Sequence, residues 1–315
     1  MPTRKKIGLI GAGNIGGELA RLCANRELGD VWLFDIAAKE NFAKGKALDL
    51  EQNSSVLGYD ASVTGTGKWE DMAGADVLII TAGIPRKPGQ SREELVGVNA
   101  KIVREICENV KKHAPNAVLI VVSNPLDAMV CVAKQVTGFP RERVIGSAGV
   151  LDSARFRTFL AMEANASVED VNAIVLGAHT DKDMVPITST ATIGGVPVSK
   201  MMSPEKLNAV VERTKKGGAE LTALIGTSAW LAPGSGTALM VEAIVRNQHR
   251  VLPCSVELNG EFGVKGAFVG VPCKLGLSGV ESIHEFELSA AEKEAFGKSV
   301  AANVELMGIA KAAMG

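Results

Sequence analysis

The stretch KIGLIGAGNIGGELARL, residues 6–22, decides the fold, because an apolar run enters a glycine-rich turn and a helical pattern follows. Its glycines Gly11, Gly13 and Gly16 have the spacing G-x-G-x-x-G. In this motif the first glycine permits a tight turn, the second lets the backbone approach a pyrophosphate, and the third lets the helix pack on the strand. The helix N-terminus then faces the phosphates. The predicted dinucleotide contacts of this loop are Gly11, Ala12, Gly13, Asn14, Ile15 and Gly16.

Asp35 ends the next apolar run, VWLFD, about twenty residues beyond the glycine loop, where the motif places an acidic residue. A carboxylate there would hydrogen-bond the ribose hydroxyls of an adenosine and repel a 2′-phosphate. The sequence therefore favours NAD over NADP as cofactor. The alternative is a packing loop with a surface aspartate, in which case NAD would show no saturable binding.

Short apolar runs alternate with longer amphipathic ones through the first half of the chain. The predicted strands are KIGLIG, DVWLFDI, DVLIITAG, AVLIVVSNP and RVIGSAG. This alternation predicts a parallel sheet covered by helices on both faces. After about Val150 the pattern changes to helices mixed with strands of antiparallel style. We predict an α/β fold with an N-terminal doubly wound Rossmann domain over residues 1–149 and a C-terminal α+β domain over residues 150–315.

Composition and charge exclude several classes of partner. The 315 residues carry a formal net charge of −1, so no overall field attracts nucleic acid or anionic lipid. The five cysteines are scattered without a C-x-x-C pair, which favours reduced thiols in a cytosol over disulfides or a zinc site. Neither a signal peptide nor a membrane-spanning run is apparent. We expect a cytoplasmic protein with no metal, nucleic-acid or membrane partner.

The loop GIPRKPGQSREEL, residues 83–95, places Arg86, Lys87 and Arg92 close together after the predicted strand DVLIITA. A solvated turn explains such a loop when it is considered alone. Ligands of a doubly wound sheet, however, collect beyond the carboxyl ends of its strands. The cations therefore also fit an anion-binding loop that overlies a bound nicotinamide.

Further polar residues follow strands or share a helical face, and each has a structural alternative. Asn124 in SNPLD could bind a ligand or form an Asx turn. Asp152 and Arg155 lie at i and i+3, close enough for one site or for a helix ion pair. His179 follows the apolar AIVLGA as a possible base or an ordinary edge histidine.

The chain resembles the NAD-dependent lactate/malate dehydrogenases, and the malate-specific members above all, from residue 6 to the last helix. The shared motifs are GAGNIG, FDI, TAGIPRKPGQSR, VSNPLD, GSAGVLDSARFR, GAHTDKDMVP and GVKGAFVGVPCKLGLSGVE. The resemblance implies that His179 accepts and donates the proton and that Asp152 orients it. Arg92 would polarise the reacting carbonyl, and Arg155 would bind the first substrate carboxylate.

The resemblance also implies the substrate and the remaining contacts. Arg86 would bind a second carboxylate, so that L-malate and oxaloacetate are the expected dicarboxylate pair; lactate and pyruvate are the alternative. Asn124 would contact both substrate and cofactor. The other implied dinucleotide contacts are Asn99, Val122 and Ser123. A homodimer or homotetramer is expected on the same ground.

One motif departs from the family pattern. The family usually has His-Gly-Asp and fewer residues before the proline, whereas this chain has HTDKDMVP with Thr180 after the histidine. The local backbone geometry is therefore open, and no contacts are assigned to Asp181 or Asp183. His179 remains the predicted base, because Asp152 and the arginines are all present to serve it.

Overall fold

Six parallel strands form the first half of one sheet in the computed structural model, which describes residues 4–84 and 92–314. They lie in the spatial order β3-β2-β1-β4-β5-β6, the doubly wound order of a dinucleotide-binding domain. Their bounds are β1 Lys6–Ile10, β2 Asp30–Phe34, β3 Val63–Thr66, β4 Val77–Ile80, β5 Val118–Val121 and β6 Val144–Gly146.

Helices cover both faces of this half, as the alternating pattern predicts. They are α1 Asn14–Asn25, α2 Glu40–Leu57, α3 Arg92–His113 and α4 Leu126–Thr137, with 3-10 turns at Ala37–Lys39, Trp69–Met72 and Arg141–Arg143. Ile7 and Leu9 of β1 pack in the same core as α1 and α2, whereas Ile10 packs in the core of α3 and α4. Alternate residues of one strand thus fill two cores, since successive side chains point to opposite faces.

The second half is built on antiparallel pairs, β7 with β8, β8 with β9, β10 with β11, and β11 with β12. Its strands are β7 Val171–Gly177, β8 Met184–Ile193, β9 Val196–Pro197, β10 Arg250–Asn259, β11 Lys265–Gly276 and β12 Gly279–Ile283. Its helices are α5 Gly149–Ala164, α6 Val198–Met201, α7 Pro204–Ile225, α8 Leu231–Val245 and α9 Ala290–Ala313, with 3-10 turns at Val168–Asp170 and Glu261–Gly263. The predicted α/β fold, a Rossmann domain followed by an α+β half, is confirmed.

Among the described residues, the two halves share one sheet through one narrow contact, where Gly146 of β6 pairs with Ser255 of β10. Within the second half, Gly177 of β7 pairs with Gly270 of β11. A Cβ atom on Gly146 would lie 2.8 Å from Ser255 Cβ, and one on Gly270 would lie 2.9 Å from the Gly177 carbonyl oxygen. Glycine is therefore required at these pairings for the backbones to approach.

Two strands were missing from the sequence prediction. β3 (VTGT) is only four residues long and contains a glycine, and β12 (GVESI) mixes glycine and polar residues. Neither has the continuous apolar run on which the prediction depends. The division of the chain at residues 149 and 150 stays a prediction; it falls at the start of α5. Within the described residues, no helix has both the length and the hydrophobicity needed to cross a bilayer.

Replacement of Phe156 tests the packing of α5, the helix that also carries Asp152 and Arg155. Phe156 is fully buried in the core between α5 and strands β7 and β8. We expect Phe156→Ala to lower the free energy of unfolding by about 3–5 kcal/mol, because it leaves a cavity that the core fills only in part. Denaturant unfolding measures the change.

Met162, which is exposed on the same helix, provides the control. Met162→Ala should alter the free energy of unfolding by no more than about 0.5 kcal/mol. Equal losses in the two variants would contradict the assignment of Phe156 to a tightly packed core.

Candidate active site

The glycine loop between β1 and α1 has the geometry that a dinucleotide phosphate needs. Gly11 has φ +115°, a conformation that L side chains rarely adopt, and its N–H donates to the Phe34 carbonyl at 2.8 Å. A Cβ atom on Gly16 would lie 1.9 Å from the Gly11 carbonyl oxygen, so helix and strand approach as closely as their backbones allow. A Cβ atom on Gly13 would meet nothing within 4 Å. The backbone is therefore open to a ligand at Gly13, beside the N-terminus of α1.

Asp35 lies beside this loop at the carboxyl end of β2. One carboxylate oxygen accepts the Ala12 N–H at 3.0 Å, and the other accepts the Ile36 N–H at 2.9 Å. The side chain is half-buried. A fixed carboxylate next to the loop fits a cofactor with free ribose hydroxyls, which can donate to it, and opposes a 2′-phosphate.

Asn99 of α3 is buried and ties together two loops at the carboxyl ends of the strands. Its Oδ1 accepts the Ile84 N–H at 2.9 Å. Its Nδ2 donates to the carbonyl oxygens of Ile84 and Asn124, at 3.1 and 2.6 Å. Both amide protons are thus used within the protein, and Asn99 holds Asn124 in place. Its direct contact with a dinucleotide stays a prediction.

A cleft of about 600 Å³ lies at this edge of the sheet, between the two halves of the chain. It brings together five of the predicted site residues that the structure describes. Those lining the cleft are Ile15, Val122, Asn124, Arg155 and His179, while Asp152 and Ser123 are buried next to it. Ser123 donates from its hydroxyl to the Ala82 carbonyl at 2.5 Å.

In the described parts of the chain, no group of three or more His, Cys, Asp or Glu side chains could hold a metal ion.

His179 and Asp152 form the central pair of the cleft. His179 Nδ1 lies 2.7 Å from Asp152 Oδ2, and the Asp152 side chain is only 3% exposed. Asp152 comes from α5 and His179 from the segment that follows β7, 27 positions away in the chain. Because Nδ1 is held by the carboxylate, the second ring nitrogen, Nε2, remains for the cleft that the imidazole lines.

A second carboxylate, Asp127 of α4, fixes the backbone of the histidine. Its Oδ2 accepts the His179 N–H at 3.0 Å, and its Oδ1 accepts the Ser255 hydroxyl at 2.6 Å. Burial raises the pKa of Asp127, and the bonds from Ser255 and His179 oppose that rise. Asp127 was not among the site residues predicted from the sequence. Its position in SNPLD, next to a predicted site residue, was the available signal.

The charges around His179 favour the imidazolium. Burial by itself lowers the pKa of the imidazole, but the charge of Asp152, its hydrogen bond and the charge of Asp127 outweigh burial and the repulsion from Arg155. The net result is a pKa above the ordinary value of histidine. The ring is therefore prepared to accept a proton from a bound ligand.

Arg155 lies on the other side of Asp152, at one wall of the cleft. Its Nη1 donates to Asp152 Oδ1 at 3.4 Å, whereas its buried Nε has no hydrogen-bond partner among the described residues. Gly217 of α7 makes room for the side chain, since a Cβ atom on Gly217 would lie 3.1 Å from Arg155 Cδ. A buried guanidinium with an unused donor fits a bound carboxylate. In the sequence, the glycine pair at residues 217 and 218 inside a helical pattern was the available signal for this close approach.

The loop of cations lies largely outside the described residues. Arg86 and Lys87 fall in the undescribed segment 85–91, and the side chain of Arg92, the first residue of α3, is also outside what the structure describes. Their predicted places in the site stay predictions. The described ends of the segment, Ile84 and α3, both border the cleft edge through Asn99.

The departure after His179 is a compact turn. The Thr180 hydroxyl donates to Asp183 Oδ2 at 2.5 Å and accepts the Asp183 N–H at 3.1 Å. The Met184 N–H donates to the Thr180 carbonyl at 3.2 Å and leads into β8. Thr180 thus closes the turn with its own side chain, and His179 keeps its contact with Asp152.

Titration of His179 tests the part that Asp152 plays. We expect Asp152→Asn to lower the pKa of the imidazole, because it removes the charge that raises it. Since the folded pKa is raised, protonation of His179 stabilises the native state fully below the ordinary pKa of about 6.5, and this stabilisation is lost as pH rises through the folded value. The loss of unfolding free energy in the variant should therefore be largest at low pH and shrink at high pH. NMR titration and denaturant unfolding against pH measure both effects.

The exposed pair of His249 and Glu281, 2.8 Å apart, supplies the control. Glu281→Gln should leave the titration of His179 unchanged. An unaltered His179 pKa in Asp152→Asn would contradict the electrostatic coupling.

Comparisons with known proteins agree with this fold. The family profile of the lactate/malate dehydrogenase NAD binding domain matches residues 5–146, and that of the lactate/malate dehydrogenase alpha/beta C-terminal domain matches residues 149–307. A malate dehydrogenase of Sorangium cellulosum is 60% identical over 299 residues, which cover 95% of each chain. The crystal structure of Cryptosporidium parvum malate dehydrogenase matches with a TM-score of 0.95 at 42% identity, over 98% of this chain and 100% of that one. A Cryptosporidium parvum lactate dehydrogenase, solved with lactic acid and nicotinamide adenine dinucleotide, has a TM-score of 0.95 at 40% identity, over 99% of each chain. The chain belongs to the lactate/malate dehydrogenase family.

Proposed function

We propose that the chain catalyses the reversible, NAD-dependent oxidation of L-malate to oxaloacetate. The observation that carries this proposal is the contact between His179 and Asp152, with Arg155 adjacent, across a cleft from the glycine loop. Relatives 50–60% identical over nearly the whole chain are named malate dehydrogenase. Proton acceptor, cation and dinucleotide loop are the groups that oxidation of a hydroxy acid requires.

His179 is the proposed general base of the oxidation and general acid of the reverse reaction. Its Nε2 would take the hydroxyl proton of the substrate, and Asp152 on Nδ1 would hold the tautomer and stabilise the resulting imidazolium. Asp152 is too buried to be left alone as a charge, so its bonds to His179 and Arg155 also explain why it can be there.

Arg155 is the proposed binding group for the first substrate carboxylate. Its planar guanidinium can form two parallel charge-assisted bonds, which place the reacting carbon in one orientation. Its unpartnered Nε supports this role, because a bound carboxylate would satisfy a buried donor. For Arg92 we propose polarisation of the reacting carbonyl, and for Asn124 a contact with substrate and cofactor; the position of Asn124 on the cleft supports the latter.

The first half of the chain is the proposed binding site of the cofactor. When bound, NAD accepts the hydride that the substrate carbon releases. Gly11, Gly13 and Gly16 would let the pyrophosphate approach the N-terminus of α1, and Asp35 would bind the ribose hydroxyls. The proposed contacts also include Ala12, Asn14, Ile15, Asn99, Val122, Ser123 and Asn124.

The choice between malate and lactate rests on Arg86 in this proposal. The overall backbone does not distinguish the two activities, since a malate and a lactate dehydrogenase both match with a TM-score of 0.95. A guanidinium closing over a substrate without a second carboxylate would lose its partner. Each charge-assisted bond forgone is worth roughly 1.5–3 kcal/mol, or about ten- to a hundredfold in rate.

A panel of ketoacids tests the proposed reaction. With NADH, we expect kcat/KM for oxaloacetate to exceed that for pyruvate by at least about tenfold, and NADPH to be a poor substitute because of Asp35. Replacement of the base, His179→Gln, should lower kcat by about a hundred- to ten-thousandfold while NADH still binds.

His284→Gln serves as the matched control, because His284 is exposed and lies outside the cleft; its kcat should stay at the wild-type value. Comparable kcat/KM for pyruvate and oxaloacetate would refute the proposed substrate. Near-normal turnover in His179→Gln would refute the proposed base.

Exchange of Arg86 for glutamine tests substrate choice separately. We expect Arg86→Gln to lower kcat/KM for oxaloacetate by about ten- to a hundredfold, because the second carboxylate loses its charged partner. The preference over pyruvate should shrink accordingly. Lys87→Gln removes a neighbouring charge of the same loop and should keep the preference. Equal effects of the two replacements would indicate a general field of the loop and no specific role of Arg86.

Assembly and location are proposals that rest on family membership. We infer a homodimer or homotetramer, and exposed apolar side chains on α2, such as Phe42, Leu48 and Val56, support an interface between subunits. The five cysteines are all free and buried, which supports a reducing, cytoplasmic location.

A further inference from the structure

The glycine loop is followed by one glycine that the phosphate-binding motif does not require. Gly17 comes directly after the G-x-G-x-x-G spacing, in the first turn of α1. Glycine inside a helix costs about 1 kcal/mol relative to alanine. The structure shows what occupies the space that a side chain at this position would need.

That space is filled by Lys46, which reaches across from α2. Its Nζ donates to the Gly13 carbonyl at 2.8 Å. A Cβ atom on Gly17 would lie 2.8 Å from Lys46 Nζ and 3.4 Å from Cε. A side chain at residue 17 would therefore displace the end of Lys46 from its present place at the Gly13 carbonyl.

Other contacts keep the lysine in this place. Its ammonium lies 5.1 Å from the centroid of the Phe42 ring, one turn earlier on α2. Burial lowers the pKa of Lys46, and the negative charge of Asp35 opposes that change. The ammonium is thus near the acidic residue of the proposed ribose site as well as the loop.

The bond to Gly13 fixes a second group, the N–H of Asn14. A peptide unit is planar and trans, so its C=O and N–H point in opposite directions. The Gly13 carbonyl accepts both Lys46 Nζ and the Gly17 N–H, the latter at 2.9 Å. Its orientation therefore sets that of the Asn14 N–H, one of the unpaired N–H groups at the start of α1, beside the open side of Gly13.

We propose that Lys46 is a positioning residue for the cofactor. It holds the Gly13 carbonyl, so that the Asn14 N–H points toward the dinucleotide pyrophosphate. Gly17 leaves the space through which the Lys46 side chain reaches that carbonyl. This inference rests on the proposed dinucleotide site and adds a residue from outside the glycine motif. At residue 17 the proposal predicts opposite effects on helix stability and on affinity for the dinucleotide. Alanine at this position would stabilise α1, but it would also displace the end of Lys46, on which binding depends.

The test compares Lys46→Met, Gly17→Ala and the double variant with the wild-type chain. NADH fluorescence gives Kd, steady-state kinetics give KM and kcat, and thermal unfolding gives Tm. We expect Lys46→Met to raise Kd and KM for NADH by about five- to twentyfold, since a hydrogen bond to a charged group is lost. At saturating NADH, kcat and KM for oxaloacetate should stay within about twofold of the wild-type values, because Lys46 touches neither substrate nor His179.

Gly17→Ala should raise Kd for NADH in the same direction, without lowering Tm. The double variant should bind NADH no more weakly than Lys46→Met alone, because both replacements break one anchor. Lys46→Arg, which keeps the charge and the donors, should recover part of the affinity. Lys44→Met is the matched control: Lys44 pairs with Glu40 on the surface of the same helix at 2.8 Å, and its loss should leave Kd unchanged.

A wild-type Kd in Lys46→Met would overturn the anchor, and so would additive losses in the double variant. A general decrease of Tm and kcat in both single variants would also overturn it, because it would show a structural role only. Failure of the wild-type chain itself to bind NADH would instead overturn the dinucleotide site on which the anchor depends.

Discussion

The bond between Asp152 and His179 is the contact that the rest of the molecule has to support. A carboxylate that is 3% exposed is stable as an anion only with partners, and it has two, the imidazole at 2.7 Å and the Arg155 guanidinium at 3.4 Å. Each partner needs its own support. α5 must pack tightly enough to aim Asp152, β7 must end just before His179, and α7 must leave room for the arginine at Gly217.

The histidine is held by both halves of the chain. Asp127 on α4, in the dinucleotide-binding half, accepts the backbone N–H of His179, and Ser255 of β10 donates to the same carboxylate. From the other side, the Ser299 hydroxyl of α9 accepts the Ala178 N–H at 2.7 Å. The imidazole therefore belongs to neither half alone. The backbone of His179 is thus fixed to the half of the protein that carries the glycine loop.

Features formed by residues close together in the chain could be predicted from the sequence, whereas contacts between residues far apart in the chain could not. The glycine motif, Asp35 and the i, i+3 pair of Asp152 and Arg155 are readable because the chemistry and the spacing lie within one or two elements. The link from His179 to Asp127 spans 52 residues, and no periodicity encodes it. The bond from Lys46 to Gly13 was not predicted for the same reason, since it joins residues 33 positions apart and Lys46 lies in α2, where no motif indicates a functional residue. The roles of Arg86 and Arg92 came from family resemblance.

The junction of the two halves has a consequence for how such proteins can diverge. The sheet passes from one half to the other where Gly146 of β6 lies against Ser255 of β10, and a Cβ atom on Gly146 would lie only 2.8 Å from Ser255 Cβ. Because β6 and β10 approach so closely at this pairing, a larger residue on one strand would require a compensating change on the other. A Rossmann half joined to an unrelated C-terminal half would therefore need a boundary strand with an equally small residue opposite Gly146.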